Sequence, residues 1–429
     1  MLQNLVQVAL NTADTVMIGR LGELQLAAVG AGNQMFNVYC SLLFGFFSGA
    51  GVYVAQYYGA KDLKHIRRIV GFDLMLGTVL TVLTTVFAQL YPDKVIGIFA
   101  DDPAVIEDGA VYLRIVSLSY LFTAWSFALG FNSRAVQRPK GPATIDCLAL
   151  GLNVVLNYLL IYGPGPFPAL GVKGAAIATL IARIFEFLAM VIYIAMLKDH
   201  PFHGDLRQMF DWDGELFKNV MKKGVPVTLS EGGFSLGSSL TFACYGMLGA
   251  SALAVVQVAG MACQIFQSVI FGFGSGAGVV IGEVIGMREV EIAEDYCKRV
   301  LKIAGVMIAI MVAGILLIMK PIGLIYGFGA ETTGLLYSAL SVYAFMMIPR
   351  MTSYIVQCGV LRSGGDTFFC MIIEVVSNLG LEPALAYTAV ALLGWPLPMC
   401  IALAALAYVF KAAAFLIRYK SRKWLNVLV

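Results

Sequence analysis

Hydrophobic and polar positions alternate in a coarse rhythm along this chain. Apolar stretches of some twenty residues or more are separated by short clusters of Lys, Arg, Gly, Pro and acidic residues. A helix of about 20 apolar residues crosses a hydrocarbon core roughly 30 Å thick. The helix is also one of only two folds that satisfy their own backbone in lipid. The pattern predicts twelve helices, at about 2–18, 27–58, 66–90, 104–133, 141–162, 170–197, 217–247, 251–286, 298–326, 331–362, 366–394 and 396–419. The second and eighth exceed one straight crossing and should tilt, or bend at their glycines.

Polar residues are rare inside these stretches, so their spacing is informative. Gln3, Gln7, Asn11 and Asp14 fall within an arc of about 80° on a helix of 3.6 residues per turn. That stripe cannot face lipid. Asp146, Asn153 and Asn157 share one face of the fifth predicted span. A carboxylate with amide and hydroxyl oxygens suits a hard cation such as Na⁺, and a desolvated carboxylate suits proton carriage. A structural hydrogen-bond network accounts for the same residues, and the sequence leaves both readings open. In the second half, Glu231 leads a stripe with Ser235 and Ser238, and Glu374 with Asn378 forms another. Arg350 and Glu283 are expected to neutralise neighbours, and Arg183 to pair with Glu186 three residues on.

The chain also repeats itself. "FGFFSGAGV" at 44–52 returns as "FGFGSGAGV" at 271–279, 227 positions later. "LGELQLAAV" at 21–29 matches "LGASALAVV" at 248–256 with the same offset, and "GAK" at 59–61 meets "GMR" at 286–288. With six helices per half both copies start on the same side, which predicts two parallel lobes related by a pseudo-two-fold axis along the membrane normal. The small residues of the phrase serve either close helix packing or a backbone bend. The divisions are an amino-terminal lobe over 1–197, a cytoplasmic linker over 198–223 and a carboxy-terminal lobe over 224–429. His200 and His203 lie in that linker, which reads as a solvated connection rather than a metal site.

Composition agrees: 59% of the 429 residues are hydrophobic and 13% charged, against roughly 25% charged in a soluble domain. Of the 29 Lys and Arg, 21 fall on one side of the predicted spans and four on the other, which places both termini in the cytoplasm. The net charge of +3 is too small to suggest nucleic acid as a partner. Eight scattered Cys, with no Cys-x-x-Cys, suggest neither a disulfide framework nor zinc. No Lys or Arg precedes Arg20, so a cleavable signal peptide is not expected. The absence of a GxxxxGK[ST] phosphate loop removes ATP as the expected energy source. Three histidines without a Cys or paired-carboxylate cluster give no catalytic constellation for an enzyme.

The stretch "LQNLVQVALNTADTVMIGRLGELQLAAVG" resembles the first helix and following loop of the multidrug and toxic compound extrusion (MATE) family. "RAVQRPKGP", "LNVVLNYLLIYG", "LGVKGAAIATLIAR", "GVPVTLSEG" and "LRSGGDT" extend the likeness over essentially the whole chain. The resemblance implies two six-helix lobes around a V-shaped cavity, with the protein a monomer in the plasma membrane. It implies export of cationic amphipathic compounds by antiport with Na⁺ or H⁺ and no other cofactor. Carried over residue by residue, the cation site falls on Asp14, Asn153, Asn157 and Thr179. Asn157 is an Asp in some relatives, so this chain has one carboxylate where those have two. The carboxy-terminal acid of one branch is replaced by Phe234, with Glu231 nearly one turn away, and the acid on the tenth span is missing beside Arg350 and Met351. Glu231 and Glu374 are therefore candidates for a substrate or second-cation contact. A lipid-linked precursor flippase of the wider superfamily is the alternative.

Overall fold

A computed structural model describes residues 16–99, 102–165, 168–204, 206–211, 214–326 and 329–428. It is helical throughout, as the apolar rhythm requires. The first predicted span appears only as its last turn, at 16–19. After it come α1 (Glu23–Gly59), α2 (Leu63–Leu90), α3 (Pro103–Ala135), α4 (Lys140–Tyr162) and α5 (Val172–Met196). The second half supplies α6 (Gly214–Gly246), α7 (Ala250–Gly286), α8 (Val290–Tyr326), α9 (Ala330–Leu361), α10 (Thr367–Leu392) and α11 (Leu397–Lys420). Among the described residues ten helices are long and apolar enough to cross a membrane. The exception is α6, 33 residues long, whose Gly and Ser content and charged first turns dilute its apolarity.

Local chemistry sets the boundaries. Asp62 accepts the His65 amide at 3.1 Å to cap α2, and Asp102 accepts the Ala104 amide at 2.9 Å ahead of Pro103 to start α3. Gly163, at φ 64°, ends α4 in the left-handed conformation that glycine adopts without strain. Where the span limits differ most from expectation, α8 begins at Val290 rather than 298: "VEIAEDYC" is charged but has strong helix formers, so the helix runs on beyond its apolar stretch.

The chain divides into two compact units, Leu2–Val54 with Asp62–Val220, and Ala55–Lys61 with Met221–Val429. The core of the first centres on Tyr39, Leu43, Phe47, Leu113, Tyr120 and Ala124, with the Tyr39 and Tyr120 rings stacked at 4.9 Å. The core of the second gathers Val255, Ala259, Leu336, Leu340 and Ala344 from α7 and α9, with Cys400 and Ile401 from α11. In this second unit the Gln56 amide donates to the carbonyls of Ser363 and Asn426 at 2.9 and 3.2 Å and accepts from Leu428 N–H at 2.8 Å. Gly59 abuts the Glu283 carbonyl and Gly286 the backbone of Gln56. The following residues of the repeat, Lys61 and Arg288, both leave their helices at positive φ, 60° and 64°.

The segment expected to be a solvated linker is packed. The Arg67 guanidinium donates to the carbonyls of Pro201 and His203 and to Gln208 Oε1, at 3.0, 2.6 and 2.8 Å. His200, Phe202 and Met209 are buried within the first unit. Burial pushes the His200 imidazole down to about 4, so it stays neutral against the Phe202 ring, 4.5 Å away. Among the described residues no group of His, Cys, Asp and Glu is arranged to hold a metal. The reason for the difference lies on α2: a partly buried Arg needs acceptors, and the loop carbonyls supply them.

The repeated glycine phrase serves packing in its second copy. Gly274 lies under the Tyr354 ring, and Gly278 faces the Cys358 carbonyl, so α7 and α9 approach backbone to backbone. Gly276, between them, has open space on its Cβ side. Gly278→Leu should therefore force the two helices apart and cost on the order of 1–3 kcal/mol, whereas Gly276→Ala should leave stability unchanged or slightly raised. Thermal unfolding in detergent reads both, and equal effects would remove the packing role.

Candidate functional site

In the first unit a cavity of about 360 Å³ opens among α1, α3, α4 and α5. It exists because α4 and α5 turn polar side chains inward: Asn153 and Asn157 from α4, Thr179 and the Arg183–Glu186 pair from α5. The i, i+4 spacing places the two amides one above the other. Asn157 Nδ2 donates to Asn153 Oδ1 at 3.4 Å, and Asn153 Nδ2 to Thr179 Oγ1 at 3.4 Å. Both asparagines are buried, at 6% and 2% exposure. Close helix approach makes this possible, since Gly174 of α5 abuts the Leu160 carbonyl of α4.

Three of the four residues carried over from the resemblance thus meet in one cavity. Asp14, with Gln3, Gln7 and Asn11, lies outside the described residues. Arg183 Nη1 donates to Glu186 Oε2 at 2.6 Å, as their spacing suggested. Asp146 is placed differently from expectation. It lies 3.5 Å from Arg134 and does not line the cavity. One turn of α4 separates the asparagine pair, but two turns carry Asp146 to the basic end of the helix, where Arg134 stands.

The second unit collects its own charges. Glu231 on α6 accepts from Arg362 Nη1 at 3.0 Å, and Arg362 Nη2 also donates to Ser230 Oγ at 3.2 Å. Glu374 Oε1 on α10 accepts from Lys411 Nζ on α11 at 3.1 Å and from Asn378 Nδ2 at 2.7 Å. Lys411 donates further to Asn378 Oδ1 at 3.3 Å. Glu382 accepts from the Tyr408 hydroxyl at 2.8 Å. Helices α9 and α10 are locally widened into π-helix, α9 at Ile355–Leu361 and α10 at Val375–Leu381 and Thr388–Leu392. Such widenings are uncommon and concentrate at functional positions. They shift side chains around the axis by part of a turn, and Glu374 and Arg362 stand at the edges of two of them.

The motif "LRSGGDT" ties this unit together. Besides the Arg362 pair, the Ser363 carbonyl accepts from Gln56 and the Gly365 carbonyl from Lys223 Nζ at 2.6 Å. Asp366 accepts from Arg418 at 2.6 and 3.2 Å.

The MatE family model matches residues 1–159 and 226–388. This chain belongs to the MatE family. A probable multidrug resistance protein, YoeA, of Bacillus subtilis is 26% identical over 403 residues, 90% of this chain and 84% of its own length. A probable multidrug resistance protein NorM of Neisseria meningitidis is 30% identical over 337 residues, 76% of this chain and 71% of its own. A solved MOP superfamily transporter from Pyrococcus furiosus superposes with a TM-score of 0.88 at 22% identity, over 98% of this chain and 92% of that one. The fold is that of the MATE transporters: an all-α, multi-pass membrane protein of two six-helix lobes. The chain is a member of a multidrug efflux transporter family and not an enzyme.

Within this MatE chain, Arg362 and Lys411 are the buried, paired cations that sequence reasoning passed over. Lys411 was visible as a lone cation in an apolar helix, and Arg362 as the basic residue of "LRSGGDT". Their partners lie on other helices at separations of 131 and 37 residues, which no local spacing reveals. Removing one member of a buried pair strands the other, at a cost of about 3–5 kcal/mol. Glu374→Gln should therefore destabilise the protein strongly, while the double change Glu374→Gln with Lys411→Met should recover most of the loss. Unfolding midpoints of the three variants give the coupling, and additive effects would show that the pair is not energetically linked.

Proposed function

We propose that this MatE protein is an antiporter that exports cationic amphipathic compounds in exchange for Na⁺ or H⁺. The observation that carries the reading is the meeting of Asn153, Asn157 and Thr179 in one buried cavity of the first unit. Amide and hydroxyl oxygens there suit a small hard cation, and Asp14 would supply the charge that holds it. The names of the relatives as multidrug resistance proteins support the drug-export half of the proposal, and they do not favour the flippase alternative.

In this reading the lobes are 1–197 and 224–429, joined by 198–223. The protein acts as a monomer in the plasma membrane with both termini cytoplasmic, in line with the 21-to-4 division of Lys and Arg. Cation binding from outside favours one arrangement of the lobes and substrate binding from inside favours the other. Each ligand shifts that equilibrium only by its differential affinity for the two states. Glu231 and Glu374 are at most secondary substrate or cation contacts, because each already holds a cation of the protein itself.

Purified protein in liposomes tests the proposal under a Na⁺ gradient alone and a pH gradient alone. One gradient should drive a fluorescent organic cation through the wild type, and Asp14→Asn should reduce that transport by at least an order of magnitude. Movement that is indifferent to both gradients, or unchanged in Asp14→Asn, would overturn the coupling assignment.

A further inference from the structure

The cavity of the first unit holds more than the amides and the hydroxyl already described. Among its described lining residues Arg183 and Glu186 are the charged ones. Thr179, Arg183 and Glu186 stand at i, i+4 and i+7 on α5, which puts all three on the face of that helix that lines the cavity. Glu186 is 7% exposed, and its Oε2 accepts from Arg183 Nη1 at 2.6 Å. Its other oxygen, Oε1, makes no hydrogen bond among the described residues. A carboxylate inside a membrane span is costly, and one that lines a cavity with an oxygen left open calls for a functional reason.

The pair is held by one hydrogen bond, where a guanidinium and a carboxylate can make two. The other buried pairs have a third member: Asn378 bonds both Glu374 and Lys411, and Ser230 accepts from Arg362. Arg183 has no such addition among the described residues. The next carboxylate that acts on it electrostatically is Asp146 of α4, itself 3.5 Å from Arg134. A swing of the Arg183 side chain away from Glu186 therefore carries it toward a second acid, and Glu186 stays in the cavity. Seven residues of rise set Glu186 about 10 Å from Thr179 along α5, too far for one ion to touch both. In the orientation proposed above α5 runs from outside to inside, so Glu186 lies on the cytoplasmic side of the asparagines.

From this geometry we infer that the cavity holds a second cation position at its inner end, with Glu186 as its carboxylate ligand and Arg183 as the resident cation that an entering ion displaces. The ligand is a small hard monovalent cation, Na⁺, taken by carboxylate oxygen. The inference rests on the reading of this cavity as a cation site and gives it a second ion position in file with the first. Arg183 sets the affinity. Bonded to Glu186, it keeps the inner position closed and the acid neutralised. When Na⁺ takes the carboxylate, the guanidinium moves toward Asp146.

Equilibrium binding of radioactive Na⁺ to the purified protein in detergent reads this position. Arg183→Gln frees the carboxylate and should tighten Na⁺ binding about tenfold. Glu186→Gln leaves the guanidinium charge facing the cavity and should weaken binding about tenfold. The double variant strands no charge and should fall between the two. A pair with a structural role alone gives no tightening in Arg183→Gln; that result, or a wild type that binds no Na⁺, would overturn the inner position. If Arg183→Gln does not fold, the double variant carries the test, and an affinity no higher than that of Glu186→Gln overturns the role of Arg183. Gradient-driven movement of a cationic dye in liposomes is read separately. If a pH gradient drives the dye while Na⁺ binding lacks this order, the antiporter proposal stands and the inner position falls. If Na⁺ binds in this order and no dye moves, the antiporter proposal fails and the inner position stands.

Discussion

The constraint on which the structure depends is the cost of charge inside a membrane. Each unpaired ion at the centre of a span costs about 2.5–3.5 kcal/mol on insertion scales, and more where the helix cannot relax. This chain carries at least three ion pairs within or at the ends of its helices, Arg183–Glu186, Arg362–Glu231 and Lys411–Glu374. The pairs also fix helix positions. Glu374 and Lys411 join α10 to α11, while Glu231 and Arg362 join α6 to the end of α9. Glycine contacts bring α7 to α9 and α4 to α5 at close range.

That economy of charge divides labour between the units. In the second unit Glu231 and Glu374 each already hold a cation of the protein's own. In the first, the cavity residues Asn153, Asn157 and Thr179 are neutral. Amide and hydroxyl oxygens gathered in one cavity, with the charge we propose for Asp14, suit a cation that comes and goes.

Much of this was legible in the sequence because membrane helices are written locally. The apolar rhythm located the described spans within a few residues, apart from the early start of α8, and i, i+4 spacing placed Asn153 and Asn157 together. Arg183 with Glu186 followed from the same rule. The failures were all non-local. Asp146 shares a helix face with the asparagines, yet Arg134, brought from the end of α3, draws it away. Lys411 and Arg362 find acids on other helices, and the π-helical segments beside Arg362 and Glu374 have no sequence signal of their own. The polar linker read as solvated because its composition is polar, but Arg67 on α2 gathers its carbonyls and buries His200 and Phe202. Composition cannot show where a distant guanidinium will find acceptors.

The central claim is that the transported cation enters the amino-terminal lobe because the carboxy-terminal acids are already neutralised. Charge movement on a solid-supported membrane, after a Na⁺ jump and after a pH jump, tests it for either ion. Wild type should give a transient current for one of the two jumps, Asn157→Ala should abolish it, and Glu231→Gln with Glu374→Gln should preserve it in folded protein. A current that survives Asn157→Ala and disappears in the carboxy-terminal double variant would contradict the account.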